Sequence, residues 1–270
     1  MDSSLSRVLF EVVYLACICF CGGDLLAFVH ACYWTPHACY AYLYAHRATF
    51  LIFAAKRGSV VMTRKLIEAG VDVQWKSDFW VKQIRHGVRD RNRNSKEHPI
   101  SYAAMLRHTA LIDLLLLHGT DIEYKDCQGR SPLLLAAQNN HVSATGLLIS
   151  RGADLLRVDE VTGYSPISAA LCSGSDETLR LLFGALESHS PDYVKRGLQV
   201  LLIAASRDGG HIGWIQYALS RGADINYREN EHDSTALHVA AGTASLAAVQ
   251  FLLENGADPN VKKLPVPGLR

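Results

Sequence analysis

The side chains best suited to chemistry crowd one end of the chain. Of seven cysteines, Cys17, Cys19, Cys21, Cys32 and Cys39 fall within the first 39 residues, with His30 and His37 among them. His30 with Cys32 and His37 with Cys39 could be drawn as a tetrahedral zinc set of imidazole and thiolate ligands. Structural zinc sites, however, space paired ligands about two to four residues apart, and residues two apart on a helix face different directions. Apolar packing of free thiols is the plainer use of the cluster. An odd cysteine count without a regular framework points to a reducing compartment. No Gly-rich phosphate loop, Ser-His-Asp order or paired carboxylate motif stands out, so no catalytic, cofactor-binding or metal-binding residue is assigned. The second concentration is basic. Between Trp75 and His98 lie Lys76, Lys82, Arg85, Arg89, Arg91, Arg93 and Lys96 against Asp78, Asp90 and Glu97, a local net charge of +4. Forked guanidinium groups in that density could hold carboxylates or phosphates of a partner.

Elements able to carry such groups follow from a repeat. An Ala-Ala pair recurs at Ala54-Ala55, Ala103-Ala104, Ala136-Ala137, Ala169-Ala170, Ala204-Ala205 and Ala240-Ala241, in steps of 49, 33, 33, 35 and 36 residues. A period near 33 predicts a stacked repeat array. Such arrays bind partners along extended surfaces. The third copy runs Gly129-Arg130-Ser131-Pro132-Leu133-Leu134-Leu135-Ala136-Ala137, then Asn140-His141, Leu147-Leu148-Ile149 and Arg151-Gly152-Ala153-Asp154. A Ser/Thr hydroxyl can cap orphan amides, and Pro suits the first helical position. The Ala pair permits close helix approach. The Leu-rich run supplies the buried stripe of a second helix. Gly152 sits where a left-handed residue ends that helix, and Asp154 begins a projecting turn.

These motifs resemble the ankyrin repeat. The sixth copy matches with Thr235-Ala236-Leu237-His238-Val239-Ala240-Ala241, Phe251-Leu252-Leu253 and Gly256-Ala257-Asp258. The fifth carries Gly210-His211-Ile212 and Arg221-Gly222-Ala223-Asp224. The first carries Lys65-Leu66-Ile67-Glu68-Ala69-Gly70-Val71-Asp72, and the second Leu114-Leu115-Leu116-Leu117-His118-Gly119-Thr120-Asp121. The fourth, around Ser165-Pro166-Ile167-Ser168-Ala169-Ala170, is the weakest, ending in Gly184-Ala185-Leu186-Glu187. The resemblance implies an all-α ankyrin-repeat solenoid of about six helix-turn-helix units with projecting turns over 49–261, preceded by a short helical segment over 1–48. Repeats are expected near 49–75, 98–126, 129–158, 163–190, 197–228 and 233–261, with the basic insertion near 75–98 and an irregular tail over 262–270. It also implies non-catalytic protein binding inside the cell, in cytoplasm or nucleus. His141, His211 and His238 fall at family positions where they are expected to bond loop backbone between repeats.

Three frames fit residues 1–48. Apolar residues at 5, 8, 9, 12 and 13 suit an amphipathic helix; Asp24 can cap a second, and Pro36 to Tyr44 suits a third. Asp24-Leu25, Cys32 and Tyr42-Leu43-Tyr44 resemble, in order and spacing, a diverged F-box of the kind that fungal proteins join to ankyrin repeats. Ser6 and Val8 stand where that motif has Pro and Glu. The resemblance implies docking of a ubiquitin-ligase linker subunit through Leu5, Leu9, Val12 and Val13. In the second frame, the ten apolar residues Val12 to Cys21 form the apolar region of a signal peptide; a spanning helix needs about 20, and no membrane partner is expected. In the third, the helices cap the first repeat.

Partner contacts are expected on the turns, where binding residues concentrate on a rigid scaffold. In the insertion, Trp75, Phe79 and Trp80 would anchor a finger whose Arg85, Arg89, Arg91 and Arg93 meet an acidic partner; alternatively it is a solvated segment. Glu123, Asp159, Tyr227 and Arg228 mark later turns, which are more acidic, giving a charge gradient along the array. A net charge of +1 gives no basic footprint for nucleic acid, and no small-molecule substrate is indicated. With 49% hydrophobic and 20% charged residues, the chain has the composition of a folded core. At the C-terminus Pro265 and Pro267 oppose another helix, and Val249 and Leu252 are expected to be less covered than their counterparts upstream, as in a shortened array or one with something packed there.

Overall fold

Capping side chains in the sequence become helix starts in the structure. The computed structural model describes residues 50–74, 98–126, 128–159, 161, 163–207, 211–228 and 234–261. They form twelve helices: α1 over 50–57, α2 Val60–Glu68, α3 Pro99–Met105, α4 Thr109–Leu117, α5 Pro132–Gln138, α6 Val142–Ser150, α7 Pro166–Cys172, α8 Asp176–Leu186, α9 Pro191–Arg207, α10 Ile212–Ser220, α11 Ala236–Gly242 and α12 Leu246–Glu254. The only extended residue among those described is a lone bridge at Ser234, so the fold is all-α. Ser165 Oγ accepts the Ser168 N–H while Ser168 Oγ accepts the Ser165 N–H, a reciprocal capping box at α7. Thr235 and His238 make the same box at α11. His238 Nδ1 accepts the Thr235 N–H at 3.3 Å, a cap within its own repeat. His141 and His211 serve as backbone N-caps of α6 and α10, without a side-chain capping bond.

Odd-numbered helices open each pair and even-numbered ones close it. The N-cap residue of each closing helix donates its N–H to an alanine carbonyl: Ser59 to Ala54, His108 to Ala103, His141 to Ala136, Ser175 to Ala170, His211 to Ala205 and Ser245 to Ala240. These bonds set the register of the repeat. In the fourth and fifth repeats the equivalent pairs are thus Ala170-Leu171 and Ala205-Ser206, one residue later than the Ala-Ala count gives. The Ala pair misleads there because Ala169 and Ala204 are also buried.

Five closing helices end alike. Gly70, Gly119, Gly152, Gly222 and Gly256 have φ between 81 and 91°, where a side chain is strained. The following N–H reaches back to close the last turn, as Ala153 does to Leu148 O at 3.1 Å. An aspartate then turns the chain: Asp72, Asp121, Asp154, Asp224 and Asp258 each accept, through Oδ1, the N–H of the residue two further on.

The fourth repeat departs from this plan. It lacks the glycine, α8 stops at Leu186, and Ser190-Pro191 starts α9, which runs for 17 residues. Ser190 Oγ accepts the Tyr193 N–H at 3.4 Å. The first turns of α9 thus occupy the stretch where a projecting turn is expected, and the fifth repeat's opening helix starts six residues before the expected 197. Buried Gly197 lets α9 meet α8 closely; a Cβ there would lie 2.9 Å from Leu186 Cδ1.

The chain divides into two compact units, 1–135 and 136–270. In the first, α4 packs on α2 and α3. In the second, α7, α9 and α11 form one layer in which α9 touches both neighbours, and α6, α8, α10 and α12 follow one another in a second layer. Phe183, Trp214 and Tyr217 bind α8 to α10, with Phe183 and Trp214 rings stacked at 6.2 Å. Trp214 Nε1 donates to Asp176 at one end of this cluster, and Arg221 pairs with Glu187 at the other. Leu252 of α12 is buried, contrary to the expected loss of cover, because it points into the pair formed with α11; Val249 is half-buried, and Leu246 and Leu253 are exposed. The N-terminal helices, the Cys/His cluster, the basic insertion over 75–97 and the tail over 262–270 lie outside the described residues. Among those described, no helix is long and apolar enough to cross a membrane, and no group of three His, Cys, Asp or Glu side chains could hold a metal.

Candidate partner-binding surface

The turn between the third and fourth repeats is built by two aspartates. Asp154 Oδ1 accepts the Leu156 N–H at 3.0 Å and the Tyr193 hydroxyl at 2.7 Å. Leu155 and Leu156 turn into the core. Asp159 then accepts the Val161 N–H at 2.9 Å and donates its own N–H to Tyr164 O at 2.9 Å, closing a hairpin-like tip. Only 3% of Asp159 is exposed, so its carboxylate holds the tip and is not presented to a partner. Of the described residues at the tip, Val158 is 41% and Val161 70% exposed.

Next to the tip, Arg207 from the end of α9 lays its guanidinium over the Tyr164 ring, 5.5 Å from the centroid. The pair is worth ~0.5–1 kcal/mol at a partly exposed site. Arg207 makes no ion pair with a carboxylate among the described residues. At the other end of α9, the Tyr193 hydroxyl is pushed from its ordinary 10.0 up to about 12, first by burial and then by its hydrogen bond to Asp154. It remains a donor at neutral pH and pins α9 to this turn.

The other expected contact residues are spread over both units. In the first unit, Glu123 is half-buried and its N–H is held by Asp121 Oδ1. In the second, Tyr227 is half-buried, its N–H bonded to Asp224 O at 3.0 Å, and Arg228 is exposed. Buried Gln199 of α9 supports that turn, its amide accepting from Asp224 N and donating to Asp224 O. Trp75, Phe79, Trp80, Arg85, Arg89, Arg91 and Arg93, and the docking set Leu5, Leu9, Val12 and Val13, lie outside the described residues. Arg207 and Tyr164 escaped the sequence reading. The only local signal is Arg207 at the end of a helix, and its partner is far away in the chain.

The turns, caps and 33-residue steps are of one type, and a family model for "Ankyrin repeats (3 copies)" matches residues 79–159, 100–192 and 167–263, more than half of the chain. The chain belongs to the ankyrin-repeat family. Ankyrin repeats are units of protein-protein interaction. Among curated relatives, it is 28% identical over 181 residues to the ankyrin repeat and KH domain-containing protein mask-1 of Caenorhabditis elegans, which covers 56% of this chain and 7% of that protein. It is 29% identical over 163 residues to an L-asparaginase of Dirofilaria immitis, 59% of this chain and 26% of that protein. To the probable E3 ubiquitin-protein ligase XBOS32 of Oryza sativa subsp. japonica it is 26% identical over 207 residues, 77% of this chain and 38% of that protein. The chain thus spans well under half the length of each of these relatives.

Proposed function

We propose that this ankyrin array is a non-catalytic, intracellular recognition module that serves as a substrate adaptor for a cullin-RING ubiquitin ligase of the F-box type. The observation that carries the recognition part is the turn over 157–164, where Asp159 Oδ1 holds the Val161 N–H and the described residues Val158 and Val161 stand exposed. The adaptor part rests on the order Asp24-Leu25, Cys32 and Tyr42-Leu43-Tyr44 before the first repeat, and on likeness to a relative named as a ubiquitin-protein ligase. In this reading Leu5, Leu9, Val12 and Val13 dock the linker subunit, while the turns, the Trp75 to His98 insertion included, hold the protein to be modified. The ligase chemistry belongs to other subunits.

A plain ankyrin scaffold without a ubiquitin role is favoured by one observation, the presence of Ser6 and Val8 where the F-box has Pro and Glu. Direct titration of the full chain with the linker subunit separates the two. The adaptor account expects saturable binding that disappears in the Leu9→Asp, Val13→Asp double variant. A folded chain that does not bind leaves the scaffold.

A further inference from the structure

We propose that the Asn255-Gly256 step at the end of α12 is a site of spontaneous covalent modification, at which the asparagine deamidates to aspartyl and isoaspartyl forms and remodels the turn of the sixth repeat. The proposal stands apart from the recognition reading. Five closing helices end on a left-handed glycine, and the residues before those glycines are Ala69, His118, Arg151, Arg221 and Asn255. Of these, asparagine alone has a side-chain carbonyl that the next backbone nitrogen can reach to close a five-membered ring. This is also the one Asn-Gly step in the sequence. Glycine has no Cβ to shield its nitrogen. Both residues are exposed, and nothing lies within 4 Å of where a Cβ of Gly256 would stand.

In the fold the two reacting groups are tied down. Asn255 Nδ2 donates to Phe251 O at 2.8 Å, and the Gly256 N–H donates to Leu253 O at 3.1 Å. Reaction therefore waits on opening of the last turn of α12, where Glu254, Asn255 and Gly256 are exposed and where helix ends open most readily. Once the turn opens, a base takes the Gly256 N–H proton and the nitrogen attacks Asn255 Cγ. The N–Cγ bond forms, the Cγ–Nδ2 bond breaks, and Nδ2 takes up a proton and leaves as ammonia. Water then opens the resulting succinimide at either carbonyl. The sum is asparagine plus water giving an aspartyl or isoaspartyl residue plus ammonia, with nothing oxidised or reduced. The products fit the turn less well than asparagine does. The donor to Phe251 O is gone, and an anion stands at the negative end of α12. The isoaspartyl form also adds a backbone methylene just before Gly256, whose φ is 91°. Two residues on, Asn226 Oδ1 accepts the Asp258 N–H at 2.9 Å, joining the sixth turn to the fifth. The modification thus loosens the sixth turn from its neighbour.

The test incubates the full chain beside a free peptide of residues 251–260, at neutral pH and body temperature, and follows both by peptide mapping with mass detection. The mass gain separates deamidation from simple isomerisation at Asp208-Gly209. Conversion at Asn255 is expected to run about tenfold slower in the folded chain than in the peptide, the cost of breaking the hydrogen bonds of that turn. In guanidinium it is expected to reach the peptide's rate. The deamidated chain, separated by ion exchange, is expected to unfold at a lower midpoint than fresh protein. Asn255→His, which places here the residue of the second repeat, is expected to keep its midpoint through the same incubation. No conversion in the folded chain after the peptide is spent, or equal rates in chain and peptide, overturns the proposal. So does a deamidated chain with the midpoint of the fresh one, or an Asn255→His chain whose midpoint falls as that of wild type does.

Discussion

Asp154 carries two jobs on one oxygen, turning its own chain through the Leu156 N–H and receiving the Tyr193 hydroxyl. The first was legible, since an aspartate after Gly-Ala is a turn former in every clear copy of the repeat. The second was not, because the two residues are 39 positions apart and nothing local announces the pairing. The bond has a pH signature. Burial and Asp154 raise the Tyr193 hydroxyl to about 12 in the fold, above the value near 10 of an unfolded chain. Its contribution is therefore fully present below pH ~10 and is lost as pH rises toward ~12. Tyr193→Phe is expected to cost ~1 kcal/mol at neutral pH, toward the low end for a bond to a charged group because the site is partly solvated. The gap between wild type and variant should close between pH ~10 and ~12 in urea titrations. A gap that is absent at pH 7, or that persists at pH 12, contradicts this account of the bond.

At the scale of elements, α9 is the departure from an otherwise regular plan. The Ser/Thr caps, the left-handed glycines and the turn aspartates are local chemistry, and each of them could be read from the sequence. Ser190-Pro191-Asp192 is such a signal as well: a capping hydroxyl, a proline at the first helical position and an acidic residue in the first turn. The repeat period alone places a loop there. The register slip at Ala169 and Ala204 has a related cause. A pair of small residues marks close packing without marking the loop bond that aligns the repeats. How α9 packs was not legible at all, since it depends on Gly197 facing Leu186. Gly197→Val would drive two methyl groups into that contact. It is expected to lower stability by ~1–3 kcal/mol, as overpacking of a filled core does, read as a shift of the denaturation midpoint. An unchanged midpoint would mean that α8 and α9 are not held at this distance.

The described repeats are variations on one helix pair, and the proposed function lies in what their turns expose. Repetition made the family plain from spacing alone, with covering matches over 79–263. It did not show which turn residues are exposed, since Asp159 looks like a contact in the sequence and is a buried brace in the fold, while Arg207 looks like a helix end and lies over the Tyr164 ring. Relatives that share the array carry it in proteins of quite different names, as expected when the repeats supply recognition and other segments supply the rest.

The central claim of the proposed function is that the chain binds polypeptide without transforming it. The most direct measurement is a calorimetric titration of the full chain with a peptide recovered from a display library panned against it, followed by mass spectrometry of the peptide after prolonged incubation. The account predicts saturable binding and a peptide of unaltered mass. A peptide that returns cleaved or modified, or one that binds without saturation, contradicts it.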